Sequence, residues 1–150
     1  MSARKPLRVV DASEPRAYRL EEQIGFALRK ANQRHVAIFA SRIGEMTPPQ
    51  FAALAKLHEV GETSQNQLGS QIAMDAATVK GVIDRLKARG LVAVDSHKDD
   101  RRRIVVSLTE EGRQTVEKLL PLAEEITAET LAPLNSRDAA ALLRLLAKLA

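Results

Sequence analysis

Three short stretches carry side chains able to bind phosphate oxygens or hydrogen-bonding edges. The first is Asp75-Ala76-Ala77-Thr78-Val79-Lys80, with Arg85 and Lys87 further on. Its apolar residues Val79, Val82, Ile83 and Leu86 recur at helical spacing, so the other side presents Ala76, Ala77, Thr78, Lys80, Asp84 and Arg85. That side is small at its start and basic towards its end. The Thr78 hydroxyl can donate while its methyl makes an apolar contact, and Lys80 and Arg85 can reach anions. The second stretch is Ser64-Gln65-Asn66, a hydroxyl and two amides opening another short helix, where the helix dipole favours an anion. The third is Asp99-Asp100-Arg101-Arg102-Arg103. Three adjacent guanidinium groups repel one another unless a polyanion lies near. Asp100 and Arg102 are two apart, so in extended chain they share a side, and the carboxylate is expected to brace the guanidinium.

Catalytic arrangements fare poorly beside this. The 150 residues contain no Cys, which excludes a disulfide framework, a thiolate nucleophile and a Cys-based zinc site. His58-Glu59 and Glu62 lack the spacing of a zinc helix. His35, His58 and His97 are far apart, and no Ser-His-acid set or glycine-rich phosphate loop is present. No metal or cofactor is expected.

The elements that must hold these stretches follow from periodicity. Residues 1–17, with Pro6, Pro15 and mixed charge, read as a flexible basic arm. From Tyr18 to about Ile43, Leu20, Ile24, Ala27, Leu28, Ala31, His35, Ile38 and Phe39 recur at intervals of three and four, predicting one long amphipathic helix. Thr47-Pro48-Pro49-Gln50 is a capping box with proline at the first turn, and Gly61 is placed to end the helix it opens. Ser64-Gln65-Asn66-Gln67 reads as a second box. Two short helices, 64–73 and 75–89, are then expected to be joined by about two residues. Val92 and Val94 alternate, as do Ile104, Val106 and Leu108, predicting a two-stranded hairpin around the charged loop. Thr109 caps a further helix carrying Pro121 as an expected kink, and Pro133 separates it from a last helix near Ser136 that is lined by Leu142, Leu145, Leu146 and Leu149.

The fold class is therefore mainly α with a small β-hairpin: a helix-turn-helix followed at once by a wing. Charge supports a polyanionic partner. The net charge is +5 over residues 1–42, −3 over 43–79, +4 over 80–103 and −2 over 104–150. Small side chains at the start of a helix permit close approach to the floor of the B-DNA major groove, and an arginine-tipped loop gains from the negative potential of a narrow minor groove. With only 3% aromatic residues, a base-stacking single-strand binder is disfavoured. Neither a membrane span nor an apolar leader is evident, so a cytoplasmic location is expected.

The run Asp75–Leu91, then Asp100-Arg101-Arg102, then Leu108-Thr109-Glu110-Glu111-Gly112 resembles the MarR family of winged helix-turn-helix regulators. The likeness extends over nearly the whole chain past residue 18. It implies a homodimer whose residues 18–46 and 109–150 form dimerisation helices around a DNA-binding lobe at 47–108. It implies binding to a palindromic duplex operator, with the second helix of the motif in the major groove and the wing in the minor groove. It assigns DNA contact to Ser64, Gln65, Asn66, Asp75, Ala76, Thr78, Lys80, Arg85 and the wing residues Asp100, Arg101, Arg102 and Arg103, with Arg102 at the wing tip. Most such proteins are repressors released by a small anionic aromatic ligand. The branch that senses cysteine oxidation is excluded here.

In such proteins the effector pocket lies between the dimerisation helices and the DNA-binding lobe. Phe26, Arg34, His35, Phe39, Met46 and Phe51 fall in segments that would line it, with Arg34 or His35 expected to pair with a carboxylate and the rings to stack on the ligand. Gln33-Arg34-His35, Gln50–Lys56 and Ser64–Gly69 are similar to regulators of aromatic-acid catabolism, implying an aromatic acid or its coenzyme A thioester as effector. An architectural DNA-binding protein without any effector shares the motif and is the alternative.

Overall fold

The computed structural model describes residues 17–96, 99–100 and 102–150. Most of the expected N-terminal arm (1–16), together with His97, Lys98 and the candidate Arg101, lies outside them. Six α-helices and a three-stranded sheet follow in the order α1 (Ile24–Arg42), α2 (Pro48–Val60), β1 (Thr63–Ser64), α3 (Gln65–Gln71), α4 (Ala76–Ala88), β2 (Val92–Ser96), β3 (Ile104–Leu108), α5 (Glu110–Leu131) and α6 (Ser136–Lys148). No helix among the described residues is long and apolar enough to cross a membrane.

The caps account for most of these boundaries. Thr47 Oγ1 accepts from the Gln50 N–H while Gln50 Oε1 accepts from the Thr47 N–H, closing the capping box of α2. Ser64, Asp75, Thr109 and Asn135 each take the N–H three residues on and open α3, α4, α5 and α6. Gly61 and Gly90 adopt positive φ (75° and 74°) where α2 and α4 stop.

Three expectations are corrected. The long first helix is interrupted: Leu20–Glu22 is a single 3-10 turn, and Gln23 has extended backbone and serves as the N-cap position of α1. Its side chain donates to the Arg19 carbonyl instead of continuing the helix. The link between α3 and α4 is residues 72–75, not two residues. Met74 N–H bonds to the Gly69 carbonyl, and Ala73 takes the left-handed conformation (φ 55°) that this return demands. The second capping box is half made, because Gln67 turns to accept from the Thr63 hydroxyl at 3.1 Å. The expected hairpin of β2 and β3 is present, and β1 adds a third antiparallel strand in the order β1-β3-β2. Thr63 pairs with Val106 and Ser64 with Val105 on one side, while Val92 to Ser96 pair with Leu108 to Ile104 on the other.

A single apolar cluster ties the elements together. It runs from Ile38 and Phe39 of α1 through Leu54 and Leu57 of α2, Leu68 of α3, and Val79, Ile83 and Leu86 of α4. It continues through Val92 and Val106 of the sheet to Val116, Leu119 and Ile126 of α5. The helical spacing of Val79, Val82, Ile83 and Leu86 is what buries the apolar side of α4 and turns its polar side outward. α6 contributes no buried residue: Leu142, Leu143, Leu145, Leu146 and Leu149 are exposed, as are Leu20, Ile24 and Leu28 at the other end of the chain.

Candidate nucleic-acid interface

The start of α3 and the wing stand on either side of one cleft of about 330 Å³, lined by Ser64, Gln65, Asn66, Asp100, Arg102, Arg103 and Ile104. Sheet pairing causes this. β1 runs directly into α3, and its partner β3 leaves the wing, so the Ser64–Val105 pair sets the helix N-terminus beside the arginines. Two motifs that are 34 residues or more apart in sequence thus meet at one anion-favouring edge.

Asp100 shapes the wing differently from expectation. Its Oδ1 accepts the main-chain N–H of Arg102 at 3.0 Å, and its carbonyl accepts the N–H of Arg103 at 3.0 Å. The carboxylate braces the backbone, a common use of Asp in turns, and not the guanidinium. Arg102 and Arg103 are exposed and, among the described residues, form no ion pair, as is also true of Arg85. Ile104, exposed at the cleft, was legible only as a strand residue.

On α4, Ala76, Ala77, Thr78, Lys80, Asp84 and Arg85 all face solvent, while Val79, Val82, Ile83 and Leu86 are buried. Asp75 Oδ1 accepts the Thr78 N–H at 2.7 Å, and that bond holds the Asp75 carboxyl below its ordinary range. Asp75 therefore fixes where α4 begins. Lys80 pairs with Asp84 at 2.8 Å across one turn, so a phosphate must draw the ammonium away from a local partner. Ser64 is buried at 8% exposure and its hydroxyl accepts from the Gln67 N–H, so it caps α3, while Gln65 and Asn66 line the cleft beside it.

The six effector candidates divide in two. Phe39 and Met46 are buried in the core, and Phe39 meets the half-buried Phe51 edge to face at 6.2 Å. Phe26 carries the Lys30 ammonium 5.7 Å from its ring centre. Arg34 donates to the carbonyls of Thr130 (2.6 Å) and Glu129 (2.9 Å), so its guanidinium caps the end of α5 where a carboxylate was expected. His35 Nδ1 shares a hydrogen bond with the Thr130 hydroxyl at 2.9 Å. Arg42 adds ion pairs to Glu125 (2.7 Å) and Glu129 (2.8 Å). Sequence spacing gave no hint of this α1–α5 clamp, because its partners are more than 80 residues apart.

Arg89, at the end of α4, donates to the Glu45 carbonyl at 3.0 Å, linking α4 to the segment between α1 and α2, a contact that sequence spacing does not reveal.

Comparison with known proteins agrees with this geometry. Residues 46–105 match the model of the MarR family. The HTH-type transcriptional repressor NicR of Pseudomonas putida is 40% identical over 134 residues, covering 88% of this chain and 85% of that protein. The crystal structure of a probable transcriptional regulator from Pseudomonas aeruginosa superposes with a TM-score of 0.83 at 51% identity, covering 88% of this chain and 100% of that one. BpsR of Bordetella bronchiseptica, whose DNA binding is regulated by 6-hydroxynicotinic acid, superposes with a TM-score of 0.85 at 44% identity over 89% of this chain and 96% of its own.

Proposed function

The chain belongs to the MarR family of DNA-binding transcriptional regulators, and from that premise we propose that it is a homodimeric repressor released from a palindromic operator by a small aromatic acid. The observation that carries the DNA-binding mode is the outward polar side of α4 combined with the α3–wing cleft. Thr78, Lys80 and Arg85 supply base and phosphate contacts in the major groove. Gln65 and Asn66 hold a phosphate, and Arg102 and Arg103 enter the adjacent minor groove. Residues 47–108 act as the DNA-binding lobe, and residues 18–46 with 109–150 as the dimerisation helices.

The dimer follows from what the protomer leaves open. α6 is 13 residues long, too short to be stable alone in water, and its leucine face is uncovered. The exposed Leu20, Ile24 and Leu28 have the same need. A two-fold pairing of these surfaces buries both and sets two copies of α4 for two half-sites.

BpsR, whose DNA binding is regulated by 6-hydroxynicotinic acid, supports a free, compact aromatic or heteroaromatic acid as effector. Phe26, His35 and Phe51 are the groups proposed to meet it, beside the buried Phe39 and Met46. Arg34 is committed to the α5 carbonyls, which leaves His35 as the candidate partner for the ligand carboxylate. An acid that reaches this layer acts on the angle between the lobes, and it releases DNA by preferring a spacing of half-sites that the operator does not accept.

The test is a mobility-shift assay on the DNA upstream of the protein's own coding sequence, with 6-hydroxynicotinate, hydroxybenzoates, hydroxycinnamates and their thioesters. A retarded band abolished by a free acid is expected. A band indifferent to every compound refutes the effector reading and leaves an architectural binder; the absence of any salt-sensitive band refutes DNA binding at this site.

A further inference from the structure

We infer that a second cleft, at the joint between α4 and α5, binds a small zwitterion: one carboxylate and one ammonium on a compact apolar body. The cleft measures about 460 Å³ and is lined by Glu45, Arg89, Leu91, Glu111, Thr115, Lys118 and Leu119. That volume lies in the range of small-molecule sites. None of the aromatic-acid candidates borders it, so the inference stands apart from the effector reading.

The charged side chains of this cleft form no ion pairs with one another. Nearby, Arg113 of α5 pairs with Glu110 and with Glu117, and Arg42 of α1 pairs with Glu125 and Glu129 of α5. Around this cleft the pattern fails. Among the described residues, Glu45, Glu111 and Lys118 take part in no ion pair, and Arg89 holds only a main-chain carbonyl. All four are exposed. The spacing on α5 explains part of this. Lys118 has Gln114 and Thr115 one turn before it and Pro121 and Leu122 one turn after, so no acid lies within helical reach. Glu111 likewise has Gln114 and Thr115 ahead of it.

Two cations and two carboxylates thus line one concavity without an ion pair between them. A simple anion satisfies Arg89 and Lys118 but meets the repulsion of Glu45 and Glu111. A simple cation meets the converse. A zwitterion satisfies both signs at once, with the Thr115 hydroxyl as a further partner and the buried side chains of Leu91 and Leu119 as an apolar floor. Bound there, it spans the end of α4 and the first turns of α5, across the Gly90–Leu91 joint.

The experiment is isothermal titration of the full-length protein with L-phenylalanine and with 4-(aminomethyl)benzoate, which set the two charges side by side or at opposite ends of a ring. Benzoate and phenethylamine, each with a single charge, are the controls. Saturable binding of at least one zwitterion and not of the controls is expected. Lys118→Met and Glu111→Gln should each weaken it about tenfold, the equivalent of about 1.4 kcal/mol, with unchanged melting temperature, since neither side chain has a described partner to lose. Absence of binding by both zwitterions, equal binding of benzoate, or variants that bind as tightly as the native chain would each overturn the proposal.

Discussion

Gly112 packs against the backbone of Leu91 so closely that a β-carbon built on it would stand 1.9 Å from the Leu91 carbonyl oxygen and 2.9 Å from its carbonyl carbon. The contact is one of several at this joint. The Thr109 N–H donates to the same Leu91 carbonyl at 3.1 Å, and the Thr109 hydroxyl donates to the Gly90 carbonyl at 2.6 Å while accepting from the Gly112 N–H. The end of α4 is thereby fixed to the start of α5, and with it the angle between the helix proposed to face DNA and the helix proposed to dimerise. Gly112→Ala must push two backbones apart. It should destabilise the fold by at least about 1–3 kcal/mol, the usual cost of overpacking, and weaken operator binding beyond what the lost folded fraction explains. Denaturant unfolding and a binding isotherm on the same sample check this; an unaltered midpoint would show that the joint yields freely.

The N-cap of α4 makes a pH prediction. The Asp75 carboxyl is held low by the Thr78 N–H, Glu110 by Arg113 and Gln114, and Glu117 chiefly by Arg113. Each folded-state pKa lies below its unfolded value. Their contribution is therefore fully present above the ordinary carboxylate range, about pH 4, and is lost as pH falls below it through the lowered folded-state values. Asp75→Asn keeps a side-chain oxygen that caps equally well but cannot titrate. The variant should match the native chain near pH 7 and lose less stability on acidification. Denaturation midpoints between neutral and acid pH, at one protein concentration, measure the two slopes. Parallel slopes would mean that Asp75 carries no part of the acid sensitivity.

Arg102→Ala should separate binding from folding. The side chain is exposed and unpaired among the described residues, so its loss should leave the melting temperature within error while costing about 1–3 kcal/mol of operator affinity. Asp100→Ala should resemble it for another reason, since the carboxylate holds the Arg102 main chain. Lys80→Ala should act more uniformly across sequences and reduce the slope of affinity against salt by about one phosphate contact. Full affinity in Arg102→Ala would remove the wing from the mechanism.

How far the sequence reveals this architecture depends on the range of each interaction. Helix starts were readable because a cap and its N–H are three residues apart: Thr47–Gln50, Asp75–Thr78 and Thr109–Gly112 are all as the spacing implies. The outward side of α4 was readable because burial follows a 3.6-residue period. β1 was not, because two residues carry no period and its pairing partner lies more than 40 residues on. The fate of Arg34 was invisible for the same reason: an arginine on an amphipathic helix looks free until the end of a helix 95 residues away arrives to take it. Asp100 shows a subtler failure, in which the right neighbour was identified but the main chain, not the guanidinium, is what the carboxylate holds.

The leucine face of α6 tests the assembly. Leu142, Leu145, Leu146 and Leu149 follow the i, i+3, i+4, i+7 pattern, yet all are at least one-third exposed and Leu149 reaches 71%. A face of this kind is sustained in water only if a second surface covers it. Fully burying one leucine contributes about 1.5–3 kcal/mol, and a two-fold interface counts every side chain twice. Leu145→Glu with Leu149→Glu should therefore raise the dimer dissociation constant by at least about a hundredfold, equivalent to about 2.8 kcal/mol, and abolish tight operator binding while single half-sites remain weakly bound. Removing residues 136–150 should be harsher and yield aggregated chain. Sedimentation velocity across a concentration series reads both. A truncated chain that sediments as a stable monomer and still binds the full operator tightly would exclude α6 from the interface.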